Sequence, residues 1–216
     1  MVLEGQKITF ERATVFPTRI ALKVSYDPTN SKKIFAFDDL TLVNEKGEVW
    51  GRIMNGMSGS RLDENHEILF FQSDYFTQPK ELFLQGKSIR ALNKEDLSVT
   101  LDLEKDRILS SPPNLALDQV IKNPSGKVME LYFLLKTNPK YDERRAFSIF
   151  SYDYTDARGQ SLNTESQSSR LYSEKQGYDQ TIVLNLQGNV SYQSPITLQI
   201  QDYPSRISGE FNIRVK

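Results

Sequence analysis

The 216-residue sequence contains no cysteine and a single histidine, His66. The lack of cysteine excludes disulfides, thiolate nucleophiles, zinc–thiolate sites and iron–sulfur clusters. A metal site built from several histidines of one chain is excluded as well, and any Ser-His-Asp triad would have to use His66. We therefore predict a chain that is not an enzyme, with no catalytic, cofactor-binding or metal-binding residues and no cofactor.

Neither charge nor hydropathy indicates a nucleic-acid partner or a membrane-spanning segment. The 27 Lys and Arg residues balance 28 Asp and Glu residues, whereas a nucleic-acid-binding domain carries a basic surface. The longest apolar run is 131–135, far shorter than the roughly 20 residues of a spanning helix. The opening residues, which include Glu4 and Lys7, lack the apolar core of a signal peptide. We expect a soluble chain without a targeting signal of its own, and the sequence is compatible with a piece of a longer protein.

The dominant pattern is an alternation of apolar and polar residues. It is clearest at 20–26, 97–103, 131–135 and 211–215. Successive side chains of a strand point to opposite faces, so each run has one apolar face, as in antiparallel sheets packed on one side. Helical patterns are limited to one or two turns near 140–145 and 167–174. Short strands separated by turn signals predict an all-β fold of antiparallel β-sandwiches.

A loose internal repeat predicts two domains. Gly47 corresponds to Gly159, and the alternation at 99–103 corresponds to that at 211–215. Between the two copies, Pro112-Pro113 favours a stiff, extended join. We predict two tandem sandwiches, residues 1–106 and residues 107–216, each large enough for its own core. The alternative is one continuous, larger β domain.

The apolar faces of the strands predict the core of each sandwich. The N-terminal core is expected to contain Ile20, Leu22, Val24, Phe37, Leu82, Leu84, Val99 and Leu101. The C-terminal core is expected to contain Leu131, Phe133, Phe150, Ile196, Leu198, Phe211 and Ile213. The acidic pairs Asp38-Asp39 and Glu104/Asp106 are expected to be solvated strand ends.

Three segments have partial similarity to known chemical motifs. His66 follows Asp63 and Glu64, which would suit acid–base chemistry, but a surface loop before a strand is favoured. The segment 56–60, GMSGS, matches neither a phosphate-binding loop nor a nucleophile elbow, and a loop is favoured. The segment 153–159 has some calcium-loop residues, but Arg158 occupies a ligand position and a turn is favoured.

Tyrosine gives the best indication of binding. The tyrosines of the second half are Tyr132, Tyr141, Tyr152, Tyr154, Tyr172, Tyr178, Tyr192 and Tyr203. A tyrosine offers a flat apolar face and a polar tip to sugars or proteins. Tyrosine is also a favoured strand residue, and that structural interpretation is preferred. Asn189-Val190-Ser191 is formally a glycosylation sequon.

The order of strands and loops in the first half resembles a known family. The segments that carry the resemblance are GQKITFERA (5–13), RIALKVSY (19–26), FDDLTLVNEKGEVW (37–50), NGMSGSR (55–61), HEILFFQSDYF (66–76) and KELFLQGKSI (80–89). Together they are similar to the extracytoplasmic region of membrane-anchored anti-sigma factors of Bacillus-type bacteria, the negative effectors of ECF-type sigma factors. The resemblance extends over 5–216 and includes a second immunoglobulin-like unit from about residue 107.

The resemblance implies two tandem immunoglobulin-like β-sandwiches and a regulatory role in signal transduction and transcription. In that family a cytoplasmic segment holds the sigma factor, one helix crosses the membrane, and the β region faces outward. This chain would then be the extracellular, sensing or structural part, non-catalytic, and would reach the sigma factor only through a cytoplasmic part that it lacks. The alternative is a cell-surface module that binds wall glycan or protein, and a hydrolase accessory domain is a third class. No functional residue is carried over from the resemblance.

Overall fold

The protein is described from a computed structural model, which covers residues 1–49, 58–73, 79–142, 145–171, 179–188 and 190–215. The chain divides into two compact units. Unit 1 consists of Met1–Ala91 together with Ser205–Lys216, and unit 2 consists of Leu92–Pro204. Unit 2 is therefore an insertion in the sequence of unit 1.

Strands form most of the described structure. The first eight are β1 (Val2–Leu3), β2 (Gln6–Val15), β3 (Arg19–Tyr26), β4 (Lys32–Phe37), β5 (Thr41–Asn44), β6 (Ser58–Arg61), β7 (His66–Gln72) and β8 (Leu82–Asn93). The others are β9 (Ser98–Asp102), β10 (Arg107–Ser110), β11 (Leu115–Lys122), β12 (Val128–Leu135), β13 (Phe150–Thr155), β14 (Ser161–Leu171), β15 (Gln180–Leu186), β16 (Ile196–Ile200) and β17 (Arg206–Arg214). A 3-10 turn (Lys94–Asp96) and the four-residue helix α1 (Pro139–Asp142) are the helical elements of the described residues.

The predicted all-β class with antiparallel sheets is confirmed. The helical pattern at 140–145 corresponds in part to α1, whereas that at 167–174 is wrong, because residues 167–171 form the end of β14. Residues 172–174 lie outside the described part of the chain. No helix within the described ranges has the length and apolar character needed to cross a membrane.

Unit 1 contains two sheets with an apolar core between them. One sheet has the order β1-β2-β3-β7-β6, and the other has β17-β8-β4 with β5 also paired to β8. The inward faces of both sheets supply the core, from Ile20, Leu22 and Val24 on one side to Leu84 and Ile89 on the other. This packing follows from the alternation in β3, where every second residue is buried.

The described residues of unit 2 form eight strands in the order β10-β9-β16-β13-β14-β15-β12-β11. This path folds back on itself at β14, whose first residues pair with β13 and whose later residues pair with β15. Phe150 of β13 and Phe133 of β12 show the result, because their ring centroids are 4.8 Å apart. Three strand spacings along a flat sheet would separate them by roughly 14 Å. The core of unit 2 therefore lies between two layers.

Pro112-Pro113 lies inside unit 2 and not at a boundary between units. It joins β10, which pairs with β9, to β11, which pairs with β12 at the other end of the strand order. The Tyr203 hydroxyl donates a hydrogen bond to the Pro113 carbonyl. The prolines thus mark the place where the chain passes from one layer to the other, because proline cannot donate to a continuing ladder.

The bounds of the units differ from the predicted bounds at 106 and 107. Strand β9, with Val99 and Leu101, pairs with β16 and belongs to unit 2. Strand β17, with Phe211 and Ile213, pairs with β8 and belongs to unit 1. All predicted core residues are buried except Phe211 and Ile213, which are half-buried. Alternation indicates which face of a strand is buried, but not which sheet the strand joins.

Candidate functional site

His66 lies on the outer face of unit 1 beside Asp63. Its Nδ1 is 2.8 Å from Asp63 Oδ1. The Asn65 backbone N–H and then the His66 ring hold the pKa of Asp63 below its ordinary value. Ser25 is opposite His66 in the β3–β7 pair. The nucleophile–base hydrogen bond that a triad needs is not among the contacts of the described residues.

A carboxyl group is buried in the core of unit 1. Glu67 lies on the inward face of β7 and is only 6% exposed. It accepts a hydrogen bond from the Tyr26 hydroxyl, and its Oε2 is 3.5 Å from Nη2 of Arg61. Arg61 also donates to the Ile34 carbonyl at 3.1 Å. Burial raises the pKa of Glu67 above its ordinary value, although Tyr26 and Arg61 oppose the shift.

We expect Glu67→Gln to change how stability depends on pH. In the unfolded chain a glutamate ionises at about pH 4.3, whereas the native Glu67 holds its proton to higher pH. The native state then binds more protons, so this group's contribution to stability is complete below the unfolded pKa and is lost as pH rises through the native pKa. The loss is about 1.4 kcal/mol for each unit by which the pKa is raised.

Urea unfolding at a series of pH values measures this effect. The free energy of unfolding of the unaltered protein should fall relative to that of Glu67→Gln as pH rises from about 4 toward neutrality. Glu64→Gln, which alters an exposed carboxylate of the same region, serves as the control. A difference between the two proteins that stays constant with pH would contradict the expectation.

Asp156 organises the turn predicted at 153–159, which is confirmed as the β13–β14 hairpin. Burial opposes ionisation, but N–H groups of Gln160, Gln193 and Arg158 lower the pKa of Asp156 to about 2. Their backbone donors lie 2.9–3.0 Å from the carboxylate, and Arg158 Nη2 is 2.8 Å from it. Asp156 therefore stabilises the β13–β14 hairpin and connects it to Gln193. Its carboxylate oxygens already accept hydrogen bonds from these protein donors.

The other predicted features are distributed over the molecule. The loop predicted at 56–60 is wrong for residues 58–60, which belong to the exposed strand β6 (Ser58–Arg61), and Gly56 and Met57 lie outside the described residues. Tyr154 and Tyr203 are buried, Tyr141 and Tyr152 are exposed, and the Tyr132 hydroxyl donates to Glu130. The Tyr192 hydroxyl accepts a hydrogen bond from the Val128 N–H. Tyr172, Tyr178 and the sequon residue Asn189 lie outside the described part.

A buried ionic cluster stands where the chain leaves and re-enters unit 1. Asp38 Oδ2 is 2.6 Å from Arg206 Nε, and Asp38 Oδ1 is 3.4 Å from Arg90 Nε. The side chains are 11%, 6% and 8% exposed for Asp38, Arg206 and Arg90. Ser88 Oγ also donates to Asp38, at 3.2 Å. We call these four residues the crossover cluster. The expectation of a solvated Asp38 is wrong, whereas Asp39 is exposed as expected, and so are Glu104 and Asp106.

The crossover cluster joins the two connections between the units. Arg90 and Arg206 are opposite each other in the β8–β17 pair. The Ala91 N–H donates to the Ser205 carbonyl at 2.9 Å, so the two connecting strands are hydrogen-bonded at the last residues of unit 1. One carboxylate therefore holds a guanidinium from each connection.

A polar groove of about 320 Å³ lies beside the crossover cluster on unit 1. It is lined by Asp39, Thr41, Gln85, Gly86, Lys87, Glu210, Phe211 and Asn212. Asp39 Oδ1 accepts hydrogen bonds from the N–H groups of Lys87 and Ser88, at 2.9 and 3.4 Å. A Cβ at Gly86 would lie 2.5 Å from the Phe211 ring, so the ring occupies the space of the missing side chain.

Most polar side chains of the groove have no partner among the described residues. The side chains of Thr41, Gln85, Lys87, Glu210 and Asn212 make no hydrogen bond or ion pair with the described residues. In contrast, the carboxylates of Glu67, Asp156 and Asp38 are occupied by donors from the protein itself. These five side chains are therefore available to a ligand.

The first half of the chain matches the model of a known protein family. A family model described as a family of unknown function, DUF5643, matches residues 1–109. The chain belongs to the DUF5643 family. The match covers strands β1 to β9 and enters β10, and it leaves out β17, which completes the second sheet of unit 1. No curated protein and no solved structure matches this DUF5643 chain.

Sequence reasoning did not find the two polar features of this DUF5643 protein. The crossover cluster joins Asp38 to Arg206, and the groove joins Thr41 to Asn212, across most of the chain. A buried arginine opposite another arginine in a strand pair leaves no pattern in the sequence. The one local signal is Gly86, an isolated glycine inside a strand, which indicates a close approach to the backbone.

Proposed function

We propose that this chain is the extracytoplasmic part of a membrane-anchored negative regulator of an ECF-type sigma factor. It is non-catalytic, faces the cell exterior, and reaches the sigma factor only through a cytoplasmic segment of the same protein. Support comes from the resemblance of 5–216 to that family. The proposal also assigns both units to the immunoglobulin-like class, in agreement with about 100 residues and two layers in each.

The observation that carries the proposal is the crossover cluster. A regulator that senses outside the cell needs two states that differ in affinity for the signal. Along the chain, a displacement of unit 2 reaches unit 1 at Ala91 and Ser205, which are hydrogen-bonded to each other. Arg90 and Arg206 follow directly, and both contact Asp38. Such an arrangement suits the transmission of a change from one unit to the other.

A titration against the sigma factor tests this assignment. We expect no binding between this chain and the sigma factor encoded beside it, because the two would lie on opposite sides of the membrane. The chain also lacks, among its described residues, an amphipathic helix of the kind that fills a protein groove. The full-length protein, measured by calorimetry in the same way, is the positive control and should bind.

Two outcomes would count against the assignment. Tight binding of the sigma factor by this chain alone would overturn the outer location. Binding by neither protein would favour the second candidate, a cell-surface module that recognises wall glycan or protein. The polar groove is the observation that favours this second candidate, because five of its polar side chains make no bond with the described residues.

A further inference from the structure

We propose that the polar groove of unit 1 binds an uncharged ligand rich in hydroxyl and amide groups, of the class of N-acetylated oligosaccharides. Three neutral side chains form a row across three strands of one sheet. Gln85 of β8 is opposite Thr41 of β5 on one side and opposite Asn212 of β17 on the other. Directly opposed residues have Cβ atoms roughly 4.5–5.5 Å apart, so a ligand lying across the strands meets one hydrogen-bonding group at each step.

The chemistry of this row selects ligands that both donate and accept hydrogen bonds. Each amide of Gln85 and Asn212 offers two N–H donors and one carbonyl acceptor, and the Thr41 hydroxyl does both. Since none of the three has a partner in the described protein, binding requires no internal bond to be broken. Sugar hydroxyls and acetamide groups match this mixed set, whereas an apolar ligand would leave the polar groups without partners.

Charge disfavours anions and cations alike. The groove carries the Lys87 ammonium against the carboxylates of Asp39 and Glu210, so a phosphate-rich polymer meets a net negative charge. A metal ion is disfavoured as well, because Asp39 Oδ1 already accepts two backbone N–H groups. An uncharged polar ligand is the class that remains.

The position of the groove favours recognition through side chains. It lies on a sheet face where β8 is paired on one side with β17 and on the other with β5, so a peptide cannot bind there by adding a strand to β8. The half-buried Phe211 ring fills the space beside Gly86 and adds an apolar surface to the groove. A saccharide presents both polar edges and apolar faces to such a site.

The biological setting of this inference rests on the proposed extracytoplasmic location, but the test uses the purified chain alone. Chitotetraose is the probe, added during an NMR titration that follows the side-chain amide signals of Gln85 and Asn212. We expect saturable shifts of these signals, and a loss of affinity of roughly tenfold for Gln85→Ala and for Asn212→Ala, since each removes one hydrogen-bonding group. Asn163→Ala, which truncates an exposed amide in unit 2, should bind as the unaltered protein does.

The outcome distinguishes this inference from the proposed function. No saturable shift, or equal affinity for the three variants, would overturn the groove assignment and leave the sigma-factor titration unaffected. A sigma-factor titration that contradicts the proposed function would leave the oligosaccharide result unaffected. Because Gln85 and Asn212 are not buried, thermal unfolding should show that both variants fold, which separates lost binding from lost structure.

Discussion

Replacement of Asp38 by alanine is expected to lower the free energy of unfolding of unit 1 by about 3–5 kcal/mol. Asp38 is the carboxylate that contacts both Arg90 and Arg206, at 3.4 and 2.6 Å. Both guanidiniums are more than nine-tenths buried, and removal of the anion leaves them with less compensation in a poorly solvated place. Arginine cannot respond by losing its proton, because its pKa lies too high.

Hydrogen exchange of the β3 amides of Leu22 and Val24, which belong to the core of unit 1, measures the effect. Asp39→Ala is the matched control, because it removes the neighbouring, exposed carboxylate, whose bonds go to backbone N–H groups. That change should cost about 1 kcal/mol. Equal losses for the two variants would show that the crossover cluster does not stabilise unit 1.

Truncation of Phe150 to alanine is expected to destabilise unit 2 by about 3–5 kcal/mol. Phe150 is 1% exposed and packs against Phe133 with ring centroids 4.8 Å apart. The change removes apolar contact area and leaves a cavity between the two layers. Hydrogen exchange of the β15 amides Ile182 and Leu184 reports the free energy of opening of unit 2.

Tyr152→Ala is the matched control on the same strand. The register of β13 against β16 shifts between Phe150 and Tyr154, and Tyr152 is consequently 65% exposed while its neighbours at 150 and 154 are buried. Its truncation should change stability by no more than about 0.5 kcal/mol. If the β15 amides are equally protected from hydrogen exchange in Phe150→Ala and in Tyr152→Ala, Phe150 does not belong to the core of unit 2.

The sequence predicted the faces of the strands well and their partners poorly. Alternation in 20–26 and 131–135 correctly placed Leu22, Val24 and Phe133 in the core. In β9 the alternation also predicted the buried face correctly. The predicted domain bounds, however, placed β9 in the N-terminal domain and β17 in the C-terminal domain, whereas the structure has β9 in unit 2 and β17 in unit 1. Side-chain period is a local property, whereas pairing is set by contacts between residues far apart in the chain.

The polar features show the same limit. Asp38 and Asp39 are neighbours with the same chemistry, yet one is buried against two arginines and the other lines an open groove. The difference arises from β8, because Arg90 and Ser88 face Asp38 whereas the N–H groups of Lys87 and Ser88 face Asp39. Only the register of β4, β8 and β17 decides this, and a bulge between Ser208 and Phe211 contributes to that register.

The pairing of β17 with β8 also governs the order in which the protein is completed during synthesis. The residues of unit 2 are contiguous and leave the ribosome before β17. Unit 1 cannot complete its second sheet until β17 has been synthesised. Until then one edge of β8 is open, and open edges promote intermolecular pairing. A fragment that ends at residue 109, where the DUF5643 match ends, retains this open edge permanently and carries β9 without its partner β16. Such contacts between distant parts of the chain also raise contact order, so we expect unit 1 to be the slower of the two units to fold.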